Sequence, residues 1–132
     1  MTRINLGILP VELCDQHLIA EYRELPRLFN FKTTNPNIPK HFKLGSGHVL
    51  WCASYLGTMK ERQKLIVNEL LRRNVNITFI DVPDITGDDK FCGKVEHTIA
   101  RGLIKNRINE RLKTMKRKTW TKSKKPKWVH YD

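Results

Sequence analysis

The chain has 132 residues, about the length of one ordinary domain, and 29% of them are charged. A chain of this length buries about two-thirds of its unfolded surface and needs no disulfide or metal to hold one core. No apolar run reaches the length of a membrane-spanning helix, and the first residues lack the build of a signal peptide. The three cysteines are odd in number and widely spaced, which argues against a secreted disulfide scaffold. We therefore expect a soluble protein of a reducing cytoplasm, with no membrane partner.

The positive charge is concentrated at one end of the chain. Lys and Arg number 25 against 13 Asp and Glu, which gives a net charge of +12. Residues 101–132 carry twelve Lys or Arg and two acids, so +10 of this charge lies in the last quarter and residues 1–100 carry +2. A positive field focused in this way is typical of proteins that bind a polyanion.

The first helical pattern begins at Pro10, a residue favoured in a first turn, and runs to about Leu25, where Pro26 ends or kinks it. Apolar side chains at helical spacing form its expected buried stripe: Val11, Cys14, Leu18, Tyr22 and Leu25. A second set falls together on another face: Gln16, Ala20, Arg23, Glu24 and Arg27. The pattern therefore predicts a helix with one buried and one charged face.

A second helix follows an irregular connection. Residues 30–47 are rich in Asn, Pro and Gly, which predicts the connection. The helix is expected to start between Val49 and Thr58 and to end near Arg73, and the capping-box form of Thr58 and Glu61 favours the later start. The residues expected to face the core are Leu65, Ile66, Val67 and Leu70.

The third helix is predicted from about Val95 to Lys116. Its apolar stripe consists of Ala100, Ile104, Ile108, Leu112 and Met115. Residues 74–83, which precede it, form either a short strand or a buried loop, and one unpaired strand cannot make a sheet. The expected fold is therefore mainly α: a compact single-domain three-helix fold over residues 1–132, with long irregular connections.

The other side of the third helix is basic, and the segment from about residue 117 to 132, here called the basic tail, mixes lysines with aromatic rings. The helix carries Arg101, Lys105, Arg107 and Arg111, and the tail carries Trp120, Trp128 and Tyr131. A solvated face is the ordinary explanation of a charge run. The +10 over residues 101–132 exceeds what solubility needs, and flat rings can stack on bases. We therefore predict contact with nucleic acid, without distinguishing DNA from RNA.

A carboxylate lies among arginines on the first helix. Arg23 and Arg27 are one turn apart, and Glu24 falls on nearly the same face. One interpretation is a pattern of ion pairs on a surface helix. The other is a carboxylate that stabilises positive charge or moves protons on a phosphodiester polymer. The residues alone leave both open.

Metal and nucleotide sites have little support in the sequence. His48 and Cys52 are four residues apart and Cys92 and His97 five apart, but these spacings match no common zinc pattern. Isolated cysteines are usually buried as small apolar residues. The chain contains no glycine-rich phosphate-binding loop, HExxH or GxSxG motif. We predict no metal and no cofactor.

The amino terminus offers a possible nucleophile. Thr2 follows the initiator Met and is small, so we expect Met1 to be removed and Thr2 to provide the terminal amine. An α-amino group has a pKa of about 7.7–8.0, so a useful fraction is neutral at pH 7. This amine gains a catalytic interpretation only beside a suitable carboxylate such as Glu24.

Seven short segments, spread in order along most of the chain, have a recognisable sequence. They are Thr2–Leu6, Asp15–Arg27, Leu44–Val49, Lys60–Gln63, Leu71–Ile77, Asn106–Arg111 and Thr119–Trp120. The series resembles the pyrimidine-dimer DNA glycosylase family that includes phage endonuclease V. The run QHLIAEYRELPR at residues 16–27 is long and specific.

The resemblance implies a function and a set of site residues. The amine of Thr2 would attack the anomeric carbon of a damaged nucleotide, the base would leave, and a Schiff base would lead to β-elimination and strand cleavage. Glu24 matches the family's catalytic carboxylate. The positions that match DNA contacts are Arg3, Gln16, Arg23, Arg27, Arg107, Arg111 and Trp120. The implied partner is damaged double-stranded DNA, with UV pyrimidine dimers as the lesion, bound by a monomer in a bacterial or phage-infected cell.

The chain departs from the family pattern in two places. The family has an aromatic, tyrosine-containing segment after Thr119–Trp120, whereas residues 121–128 here are rich in lysine, and residues 28–43 also differ. Two alternatives therefore stay open. One is an endonuclease with a different DNA target on the same scaffold, and the other is a non-catalytic basic DNA-binding protein.

Overall fold

The computed structural model describes residues 3–31, 37–78 and 90–131. Four α-helices are present in these ranges: α1 (Asp15–Glu24), α2 (His48–Ala53), α3 (Leu56–Arg72) and α4 (Lys94–Thr114). Two 3-10 turns, Pro10–Glu12 and Leu25–Asn30, flank α1. The described ranges contain no strand, which confirms the mainly α fold, and none of their helices could span a bilayer.

The first predicted helix is interrupted. Leu13 and Cys14 are extended, so the 3-10 turn and α1 are separate elements rather than one helix from Pro10. The tertiary structure favours the break, because the amide of Asp15 donates to the carbonyl of Thr119 at 2.7 Å. The expectation that Val11 is buried was therefore wrong, and its side chain is 43% exposed. The rest of the stripe is confirmed as buried: Cys14, Leu18, Tyr22 and Leu25.

The second predicted helix corresponds to two helices. The short helix α2 precedes α3, and α3 starts at Leu56 rather than at Thr58. The hydroxyl of Thr58 does not cap the helix, because it accepts a hydrogen bond from the amide of Cys92 at 2.8 Å. Ile66, Val67 and Leu70 are buried as expected, whereas Leu65 is 50% exposed.

The third predicted helix is confirmed to within two residues at each end as α4. Its stripe of Ala100, Ile104, Ile108 and Leu112 is buried, and Met115 is partly buried. Gly7 brings the N-terminal segment, residues 3–8, directly onto this helix. Its φ is +87°, and a Cβ at this position would lie 2.5 Å from the carbonyl oxygen of His97. The close approach therefore requires glycine.

The basic tail is part of the fold as far as residue 131. The indole nitrogen of Trp120 donates to the carbonyl of Glu12 at 3.0 Å, and that of Trp128 donates to the Glu12 carboxylate at 3.1 Å. The hydroxyls of Thr119 and Thr121 donate to the carboxylate of Asp15 at 2.7 and 2.5 Å. The tail therefore packs against the first 3-10 turn and the start of α1. Residues 79–83 of the predicted strand or loop lie outside the described ranges, and residues 74–78 form no strand.

Candidate active site

Three successive backbone amides of the N-terminal segment are each bound by a side chain. The amide of Arg3 donates to Glu24 Oε2 at 3.2 Å, and the amide of Asn5 donates to Glu21 Oε1 at 3.2 Å. Between them, the amide of Ile4 donates to His48 Nε2 at 3.1 Å. The start of the described chain is therefore held between α1 on one side and α2 on the other.

A cleft of about 260 Å³ opens beside this segment. It is lined by Arg3, Asn5, His17, Ala20, Glu21, Glu24, Arg107, Ile108 and Arg111. Glu24 thus shares the cleft with three arginines, Arg3 from the N-terminal segment and Arg107 and Arg111 from α4. A carboxylate that shares a cleft with several guanidinium groups can stabilise a developing cation while the arginines hold anionic phosphates.

A buried chain of hydrogen bonds runs beneath the cleft. Arg62 Nε donates to Glu21 Oε2 at 2.7 Å, and the Glu21 side chain has no solvent exposure. Glu21 Oε1 accepts from Asn5 Nδ2 at 2.8 Å, which leaves Asn5 Oδ1 to accept from Arg107 Nη2 at 2.6 Å. The carboxylate of Glu21 therefore orients Asn5, and Asn5 in turn fixes the guanidinium of Arg107 in the cleft.

The pKa values of two titratable groups in the cleft are shifted by their surroundings. Burial, with the nearby positive charge of Arg3, lowers the pKa of Arg107 to about 10. Burial, with the charges of Arg107 and Arg111, lowers the pKa of His17 to about 4. At neutral pH the arginine therefore remains a cation and the histidine is uncharged, so the positive charge of the cleft comes from its arginines.

Three polar residues of the cleft were missed by the sequence analysis: Asn5, His17 and Glu21. A signal for two of them was present, because His17, Ala20, Glu21 and Glu24 follow the i, i+3, i+4, i+7 spacing of one helix face. Their position beside the apolar stripe indicated a second inward-facing stripe of α1. Asn5 had no such signal, since the N-terminal segment is not helical.

The predicted site residues are placed as follows. Arg3, Glu24, Arg107 and Arg111 are brought together in the cleft. Arg23 and Arg27 are exposed and do not line it. Thr2, the predicted nucleophile, lies outside the described residues and is bonded directly to the Arg3 nitrogen that donates to Glu24.

Gln16 and Trp120, two further predicted DNA contacts, bond to other parts of the protein. The Gln16 amide donates to the hydroxyl of Thr119 at 3.2 Å and accepts from its backbone amide at 3.1 Å. Trp120 is partly buried and donates to Glu12, as described above. Their contact with DNA stays a prediction, and the structure gives both of them a role in attaching the basic tail.

The first of the two His and Cys pairs has other partners in the described part of the chain. The ring nitrogens of His48 bond to Ile4 and to the carbonyl of Lys43, and Cys52 Sγ lies 3.9 Å from the ring. Burial raises the pKa of the Cys52 thiol. Residues 3–31, 37–78 and 90–131 contain no group of three His, Cys, Asp or Glu side chains that could hold a metal ion.

A comparison with protein families decides the assignment. A model of the pyrimidine dimer DNA glycosylase family matches residues 1–81, well over half of the chain. The chain belongs to this family. The matched region includes Arg3, Glu21, Glu24 and His48, so the part of the cleft formed by the N-terminal segment and α1 lies within it.

Family membership gives the protein a substrate class. A DNA glycosylase acts on DNA, and a cleft with three arginines suits the phosphates that flank a nucleotide. Arg107 and Arg111 lie beyond residue 81, outside the region that the glycosylase model matches. The fold nevertheless places them in the same cleft as Glu24, so α4 completes the cleft that begins in the N-terminal part of the chain.

Proposed function

We propose that this protein is a glycosylase with abasic-site lyase activity on damaged duplex DNA, and that UV pyrimidine dimers are its lesion. The terminal amine of Thr2 is the nucleophile, and Glu24 stabilises charge and moves protons. The observation that carries the proposal is the 3.2 Å hydrogen bond from the Arg3 amide to Glu24 Oε2 at the edge of the cleft. Only two carbon atoms separate that nitrogen from the α-amine of Thr2, so this bond ties the nucleophilic residue to the carboxylate.

The proposed reaction proceeds in two stages. The amine nitrogen of Thr2 forms a bond to C1′ as the bond from C1′ to the damaged base breaks, and the base leaves with the electron pair and takes up a proton. Opening of the sugar ring, with proton transfer from nitrogen to O4′, gives the imine. Removal of a proton from C2′ then breaks the C3′–O bond, and the phosphate leaves as the strand is cut.

The cleft residues have distinct roles in these steps. Positive charge develops at the sugar as the base leaves, and the carboxylate of Glu24 stabilises it because it lies in the cleft with its position fixed by the Arg3 amide. The same carboxylate is suited to accept and return protons between imine formation and elimination. Arg107 and Arg111 bind the phosphates on either side of the lesion, and all of these groups belong to one chain, which is consistent with a monomer.

The first test replaces Glu24 with glutamine. A glutamine side-chain oxygen can still accept from the Arg3 amide, so the substitution removes charge and leaves the anchor of the N-terminal segment. We expect Glu24→Gln to lose strand cleavage by about 100-fold or more, while it binds a non-cleavable abasic analogue within about threefold of the unaltered protein. Glu61→Gln, an exposed position on α3 outside the cleft lining, is the matched control and should cleave normally.

A plasmid-nicking assay in EDTA separates the proposal from its alternatives. We expect nicking of UV-irradiated and abasic plasmid and none of untreated plasmid. Nicking of untreated plasmid would instead support an endonuclease with another target. Binding without nicking of any substrate, with a steep dependence on salt, would support a non-catalytic DNA-binding protein.

A further inference from the structure

His48 is buried beneath the N-terminal segment, and both of its ring nitrogens are occupied. Its Nδ1 lies 2.9 Å from the carbonyl oxygen of Lys43, which can only accept. Its Nε2 lies 3.1 Å from the backbone nitrogen of Ile4, which can only donate. The two partners therefore define one tautomer, in which Nδ1 carries the proton and Nε2 accepts from Ile4.

The ring of His48 is held rigidly in this orientation. The ring of Phe42 meets it edge-on, with the centroids 5.3 Å apart, and the amide of Phe42 donates to Glu96 of α4 at 2.9 Å. Gly47, which has a φ of +91°, precedes His48 and lets the chain turn into α2 at this point. Burial also lowers the pKa of His48, which favours the neutral ring that can accept a hydrogen bond.

The three amide contacts of the N-terminal segment come from opposite directions. The amides of Arg3 and Asn5 donate to Glu24 and Glu21, which are one turn apart on α1. The amide of Ile4 donates to His48 on α2. Without the contact from α2, the two glutamates hold the amides of the segment from one side only, and the Ile4 amide loses its hydrogen-bond partner.

We propose that His48 is a positioning residue for the reaction, in that its hydrogen bond to the Ile4 amide sets the direction from which the terminal amine reaches the sugar. The inference rests on the proposed function, since it assumes that the amine of Thr2 is the nucleophile. Ile4 is two residues from that amine, so a backbone rotation there changes the path of the short segment that carries the attacking nitrogen. A displacement of about 1 Å at a reacting atom can reduce a rate by about 100-fold.

Two substitutions separate the hydrogen bond to Ile4 from the rest of the ring. In His48→Asn the side-chain amide can still donate to the Lys43 carbonyl, but it is too short to reach Ile4. In His48→Gln the longer side chain carries an oxygen to about the position of Nε2, where it can accept from Ile4. A structural role alone would make both variants defective in the reaction. A positioning role predicts that His48→Gln keeps the reaction rate that His48→Asn loses.

The measurement is the single-turnover rate of borohydride-trapped adduct formation on an abasic duplex, with the protein in excess. We expect His48→Asn to trap at least tenfold more slowly and His48→Gln to trap within threefold of the unaltered protein. Both variants should bind a non-cleavable abasic duplex within twofold of the unaltered protein, because the substitutions leave the phosphate-binding arginines of the cleft unchanged. A thermal unfolding curve shows whether each variant is folded.

A backbone substitution keeps the inference testable if His48→Asn does not fold. A synthetic segment of residues 2–13 joined to the rest of the chain at Cys14 can carry an ester in place of the Ile4 amide. This change removes the N–H donor and leaves His48 intact, and we expect the same tenfold slower trapping. A chain assembled in the same way with a normal amide is the control.

The outcomes distinguish the inference from the proposed function. No adduct with the unaltered protein overturns the proposed function and the inference with it. Trapping by the unaltered protein together with equally fast trapping by His48→Asn or by the ester chain overturns the inference alone. Slow trapping by His48→Asn or by the ester chain, together with normal trapping by His48→Gln, supports the inference.

Discussion

The Glu12 carboxylate connects three parts of the fold, and its removal is a sharp test of the packing around the basic tail. It accepts from Arg101 Nη1 and Nη2 at 2.9 Å each, from the amide of Leu9 at 2.9 Å and from Trp128 Nε1 at 3.1 Å. Its side chain is only 16% exposed. The change Glu12→Gln therefore loses the ion pair with α4 and weakens the attachment of the tail.

The size of the effect follows from the titration of this group. The hydrogen bonds from Arg101 are the largest cause that holds the pKa of Glu12 at about 2, against an ordinary value of 4.5. Because the pKa is lowered in the folded state, the contribution to stability is complete above pH 4.5 and is lost as the pH falls through 2. Each unit of pKa difference between the folded and unfolded states is worth about 1.4 kcal/mol. The contribution of Glu12 is therefore about 3 kcal/mol at pH 7 and about 1 kcal/mol at pH 3.

Urea unfolding at pH 7 and at pH 3 measures this difference. We expect Glu12→Gln to be less stable than the unaltered protein by about 3 kcal/mol at pH 7, and the gap to shrink to about 1 kcal/mol at pH 3. Glu110→Gln, at an exposed position on α4, is the control and should change the free energy of unfolding by less than about 0.5 kcal/mol at either pH. A gap that is the same at both pH values would refute the reasoning, since the loss would then not come from the carboxylate's charge.

Two other predictions concern the cleft. Arg62→Met leaves the Glu21 carboxylate buried without its cation, so we expect urea unfolding to show a loss of about 3–5 kcal/mol in the free energy of unfolding. The control Lys64→Met, on an exposed part of the same helix, should cost less than about 0.5 kcal/mol. Equal losses in the two variants would contradict the buried network. Arg111→Ala should reduce the slope of log affinity against log salt by about 0.9 for duplex DNA, because one phosphate contact is lost. Lys64→Ala should leave the slope unchanged, and an unchanged slope for Arg111→Ala would exclude that contact.

Local patterns in the sequence were enough to predict much of the fold. The 3.6-residue spacing of Leu18, Tyr22 and Leu25 identified the buried side of α1, and the spacing from Ala100 to Leu112 identified that of α4. In each case the pattern depends only on residues within the helix, so no knowledge of distant contacts was needed. The charged face of α1 left the role of Glu24 open, and only the resemblance to the glycosylase family favoured a catalytic one.

Features fixed by distant contacts could not be predicted in this way. The break at Leu13 and Cys14 is accompanied by the hydrogen bond from Asp15 to Thr119, whose position is 104 residues further along the chain. A glutamate such as Glu21 is ordinarily exposed, and it is buried here because Arg62 of α3 neutralises it.

The basic tail shows the same limit. Its lysines indicate a charged surface, but no local pattern indicated that Glu12 and Asp15 would hold the tail against the start of α1. The aromatic rings that suggested stacking on bases are partly buried against the core. The tail is therefore a part of the fold that carries charge, which the composition alone did not distinguish from a solvated arm.

The measurement that tests the central claim most directly is the mass of the peptide trapped on DNA. The protein is treated with borohydride on an abasic duplex, digested, and the cross-linked peptide is sequenced by mass spectrometry. We predict that the nucleotide is attached through the α-amine of Thr2, with Met1 absent, and that Glu61→Gln gives the same adduct. Attachment through a lysine side chain, or no adduct with a chain that begins at Thr2, would contradict the account.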